Sequence, residues 1–60
     1  MTKEEKLIDS IVSLTDERMG GERSRTAGPM FYDIADVCRE LGYSQLERIM
    51  RAVALHYLYD

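Results

Sequence analysis

Between Pro29 and Tyr59 apolar residues recur at helical spacing on both sides of one break, Leu41-Gly42-Tyr43-Ser44. That arrangement admits two amphipathic helices joined at a tight corner and little else. Most of the apolar mass of the chain lies in this stretch, with all four tyrosines, the lone cysteine and the lone histidine.

The first of these helices is expected over about 29–41. Pro29 suits its first turn, where a missing N–H costs nothing, and Gly42 suits the left-handed residue beyond its end. Successive residues lie about 100° apart around the axis, which gathers Met30, Phe31, Ile34, Ala35, Val37, Cys38 and Leu41 on one side. Tyr32, Asp33, Asp36, Arg39 and Glu40 take the other, and Tyr32 is the one aromatic residue among them.

The second is expected over about 45–59, with Ser44 as N-cap and Glu47 completing a capping box. Its main stripe is Leu46, Ile49, Met50, Val53, Ala54, Tyr57 and Leu58. On its back, Arg48, Arg51, Ala52, Leu55 and Tyr59 lie together.

Upstream, a helix is expected over about 3–17. Thr2 and Glu5 have the spacing of a capping box. Leu7, Ile8, Ile11, Val12, Leu14 and Thr15 share a face. Gly20-Gly21 stops this helix, and the basic loop 18–28 that follows is read as flexible. The expected fold is therefore all-α: one three-helix domain over 1–60, with an N-terminal helix, a long loop and a C-terminal helical hairpin. The loop is long enough to let the first helix pack on its own chain or on a second copy.

Sixty residues bury only about 60% of the surface of the unfolded chain, so such a domain has little stability to spare. One cysteine excludes an internal disulfide, and one cysteine with one histidine is too few for a Cys/His zinc site. No metal or cofactor is expected. A lone thiol suits a reducing, cytoplasmic setting. The start of the chain lacks a signal-peptide apolar run, and no segment has the length of a membrane span.

Eight basic and eleven acidic side chains give a formal charge of −3, which does not favour general nucleic-acid binding. The charge is unevenly spread. Met1–Glu17 carries two lysines against five carboxylates, Glu4, Glu5, Asp9, Asp16 and Glu17, a strip that would imitate phosphates if it met a basic partner. Charge runs on helices are more often solvated faces. Arg18, Arg23 and Arg25 form a second, basic patch of the kind that forks onto phosphate or carboxylate.

Helix, Gly-containing corner, helix is also the outline of a DNA-reading helix-turn-helix. The register argues against it. With Gly42 at the turn, the inward positions about six and nine residues later are Arg48 and Arg51, whereas the apolar residues are Leu46, Ile49 and Met50. Catalysis is not expected either. Cys38 falls on an apolar face, His56 borders another, and a chain this short lacks walls for a substrate pocket.

The expected function is that of a small non-enzymatic inhibitor or regulator, which occupies a surface of a larger protein or nucleoprotein complex. Phage- and plasmid-type inhibitors, anti-CRISPR proteins among them, and antitoxins share this size and charge. The analogy rests on those properties and on no motif. The residues expected to make contact are Tyr32, Arg48, Arg51, Leu55 and Tyr59, since Tyr and Arg dominate binding hot spots. Self-association into a homodimer is a further expectation, and a dimeric helix-turn-helix regulator is the alternative reading.

Overall fold

The computed structural model describes residues 1–20 and 26–59, with only the backbone of Tyr59. It is all-α, as the periodicity implies. Three helices follow in order, α1 (Lys3–Met19), α2 (Ala27–Glu40) and α3 (Ser44–Tyr59).

The Thr2–Glu5 capping box forms in full. The Glu5 N–H donates to Thr2 Oγ1 at 3.1 Å, and the Thr2 N–H reaches Glu5 Oε1 at 3.4 Å. α1 runs two residues beyond the expected Glu17. It ends where Gly20 takes φ +76°, with the Gly20 N–H still bonded to the Asp16 carbonyl. The loop expected over 18–28 is shorter at both ends, because Arg18 and Met19 close α1 and Ala27 and Gly28 open α2. Ala27 and Gly28 carry no large side chain to mark them as structured, yet both are buried. Their smallness is what lets α2 approach α3, whose Ala54 and Leu58 lie beside Gly28. Pro29 is therefore the third residue of α2, still within the turn whose N–H groups have no helical partner.

The corner between α2 and α3 is a Schellman closure around Gly42 at φ +85°. The Tyr43 N–H reaches the Cys38 carbonyl at 2.8 Å, and the Gly42 N–H reaches that of Arg39 at 3.1 Å. The Glu47 N–H bonds to the Tyr43 carbonyl, so α3 begins at Ser44 itself, and the Glu47 side chain turns to Arg51. The expected Ser44–Glu47 capping box is thus replaced by an i, i+4 ion pair.

α2 and α3 run antiparallel: the start of α2 meets the end of α3 at Gly28 and Leu58, and Asp36 reaches Arg51. α1 lies beside α3 and parallel to it, with Glu4 on Arg48 and Val12 and Asp16 on Tyr57. α3 is the shared wall, and α1 makes little contact with α2. The core is built from Ala27 and Phe31 of α2 and Val53 and Ala54 of α3. Ile8, Ile11, Val12 and Met19 of α1 pack against it from one side, and Phe31 and Tyr57 stack at 6.3 Å.

The lean of α1 onto α3 corrects one expectation. The apolar side of α2 is wider than the contact that covers it. Phe31 and Ala35 are buried, while Met30, Ile34, Val37 and Leu41 remain exposed. No described helix is long and apolar enough to cross a membrane.

Candidate protein-interaction surface

Arg48, Arg51, Leu55 and Leu58 follow one another along α3 at i, i+3, i+7 and i+10, which sets them in one row. The residues of α3 that enter the core, Ile49 and Val53, occupy the other side. The two arginines reach around α3 to opposite neighbours. Arg48 forks onto Glu4 of α1, Nε to Oε1 and Nη2 to Oε2, both at 3.1 Å. Arg51 turns to α2, where its guanidinium stands 5.5 Å from the centre of the Tyr32 ring and 3.5 Å from Asp36 Oδ1. It also donates to Glu47 Oε2 at 2.7 Å. That hydrogen bond raises the Arg51 pKa above its ordinary range, burial works against it, and the charges of Glu47 and Asp36 add to the rise.

The sequence-expected contact residues therefore differ in what they offer. Tyr32 is not stranded in solvent. It is half-buried beneath Arg51 and packs against the core, so the pair works as an α2–α3 tie. The Arg48 side chain is 70% exposed despite its bond to Glu4, so a second ligand has access to it. Leu55 stands clear one turn beyond Arg51 at 40% exposure. Tyr59 belongs to the last turn of α3, and its side chain lies outside the described residues. Leu58 packs on Gly28 of α2, as its place in the main stripe implies, and is 43% exposed on its other side, so it edges the row near the end of α3.

Of the basic patch, Arg18 is exposed in the last turn of α1, and Arg23 and Arg25 lie outside the described residues. The acidic strip is partly engaged within the chain. Glu4 holds Arg48, Glu5 caps α1, and Asp16 accepts from the Tyr57 hydroxyl at 3.0 Å. The Tyr57 hydroxyl also lies 3.1 Å from the Val12 carbonyl. Burial, then the bond and the charge of Asp16, push the Tyr57 phenol above the usual tyrosine range.

Cys38 is half-buried on α2 near the corner. His56 sits near the other end of the antiparallel pair, edge-on to Tyr57 at 5.1 Å. The register keeps the two apart, so they form no nucleophile–base pair. Among the described residues no three His, Cys, Asp or Glu side chains group as metal ligands do. A shallow depression on α2 is lined by Asp36, Arg39 and Glu40, all polar. Compared with protein-family models, with curated proteins and with solved structures, the chain matches none.

Proposed function

We propose that the protein is a non-enzymatic regulator that acts by occupying a surface of a larger protein, and that the outward row of α3 makes the contact. The observation that carries this reading is Leu55. It is an exposed apolar side chain one turn beyond Arg51, whose guanidinium is held by Glu47, Asp36 and Tyr32, and two turns beyond Arg48, which is bonded to Glu4 yet open to a ligand. An apolar anchor with arginines beside it is the composition of a binding hot spot, and the ordering of Arg51 in the free state lowers the entropy lost on binding. Arg48 and Leu55 are the primary contacts, and Arg51 with Tyr32 stiffens the surface. Inhibitors of the phage or plasmid type, anti-CRISPR proteins and antitoxins act in this manner at this size.

Affinity capture with the tagged full chain tests the reading. The wild type should retain a partner in fixed stoichiometry, and Leu55→Asp should weaken retention at least about tenfold with helicity unchanged. A partner held equally by Leu55→Asp and by Arg48→Ala removes the outward row of α3 from the contact.

A further inference from the structure

The opposite side of the molecule carries a second apolar surface. α1 and α2 both pack on α3 but hardly on one another, which leaves a groove between them. Leu7 and Leu14 of α1 are 44% and 52% exposed, and they lie about a quarter turn from the residues of α1 that face α3. Met30, Ile34, Val37 and Leu41 form a continuous row on α2, also about a quarter turn from its buried Phe31. The direction of each helix decides which flank these rows occupy. With α1 parallel and α2 antiparallel to α3, both rows turn to the same side, and exposed Leu46 of α3 lies at the floor between them.

The rims of the groove carry opposite charge at one end. Lys3 stands one turn before Leu7, so the α1 rim is basic there, while Glu17 and Arg18 together follow Leu14 at the other end. Asp33 and Glu40 flank Val37 at four residues before and three after, so the α2 rim is acidic. All five are exposed, and none has an ion pair among the described residues.

We propose that this groove is the contact face of a symmetric dimer, filled by a second copy of the chain. A two-fold axis parallel to the helices sets α1 of each copy against α2 of the other, antiparallel. The register then puts Leu7 level with Val37, Leu14 level with Met30, and Lys3 beside Glu40 at the same end. The contact is self-complementary, as a two-fold interface must be. The dimer leaves the outward row of α3 free on both copies, so it stands independently of what that row binds.

Sedimentation equilibrium of the full chain over a range of concentrations tests the proposal. The wild type should have twice the mass of the 6.9 kDa chain. Val37→Glu, at a residue 54% exposed in the single chain, should raise the dimer dissociation constant about a hundredfold or more without loss of helicity. Lys3→Glu and Glu40→Lys should each weaken the dimer, and the two together should restore it. Leu55→Asp should leave it intact. A wild type that stays monomeric at millimolar concentration overturns the proposal, as does a dimer indifferent to Val37→Glu. A monomer whose captured partner is lost on Val37→Glu assigns the groove to another protein, and equally overturns it.

Discussion

Leu58 lies directly across Gly28: a Cβ on residue 28 would fall 2.9 Å from Leu58 Cγ and 3.5 Å from the Ala54 carbonyl oxygen. The glycine is what lets α2 and α3 close at this end. Gly28→Ala has two opposed effects. It gains about 1 kcal/mol of helix propensity and displaces a half-exposed leucine that has room to turn, so the change should be close to neutral. Gly28→Leu has no such outlet and should cost about 1–3 kcal/mol. Thermal unfolding should show this as a fall of about 4–8 °C for each kcal/mol. Leu58→Ala in the same chain should recover part of the loss.

Tyr57 ties α1 to α3 through its hydroxyl, and the tie is sensitive to alkali. The phenol is held above the usual tyrosine range by burial and by Asp16, so the folded state favours the protonated form. The stabilisation is complete below the ordinary tyrosine pKa of about 10 and is lost as pH rises through the raised value. Tyrosinate absorbance should show a late component, above the usual tyrosine range, and α1 should loosen as it titrates. Tyr57→Phe should abolish the late component and cost about 1 kcal/mol at neutral pH.

α1 has no fully buried residue, whereas Ala27, Phe31, Ala35, Ile49, Val53 and Ala54 of the α2–α3 pair are buried. Its polar clip, Arg48 on Glu4, is exposed and is worth only about 0–1 kcal/mol. Amide hydrogen exchange should therefore show α1 opening well below the global unfolding free energy, with protection greatest around Val53. Glu4→Gln should speed exchange in the first turns of α1 and leave Val53 unchanged.

Val53 is the largest fully buried side chain among the described residues, and Leu55, two residues on, faces out. Val53→Ala should destabilise by about 2 kcal/mol, and Leu55→Ala by about 0.5 kcal/mol or less. Chemical denaturation of the two variants separates the residue that holds the fold from the one proposed to meet a partner.

Helix ends were largely legible in the sequence because their signals are local. Thr2 with Glu5, Gly20 and Gly42 act through backbone groups a few residues away, so no tertiary knowledge is needed to read them. What the sequence concealed depends on which neighbour covers which flank. A helical wheel puts Met30, Ile34, Val37 and Leu41 on the apolar side of α2, but only the lean of α1 onto α3 decides that they stay open. Tyr32 looked free because it shares a face with charged residues. In the fold, one of the arginines it was grouped with closes over it. Ala27 and Gly28 were missed because smallness marks a loop and a close helix crossing alike. On α3, the spacing separates Leu55 from the core and sets Leu58 in the main stripe, where its contact with Gly28 places it despite its partial exposure.

The two apolar faces are proposed to have different occupants, and site-specific photo-crosslinking distinguishes them in one experiment. A photoreactive side chain at position 55 should capture a different protein and no second copy. The same group at position 37 should give an adduct of twice the mass of the chain. Homodimer adducts from position 55, or no adduct with another protein there, would contradict the assignment of the outward row of α3 to a partner.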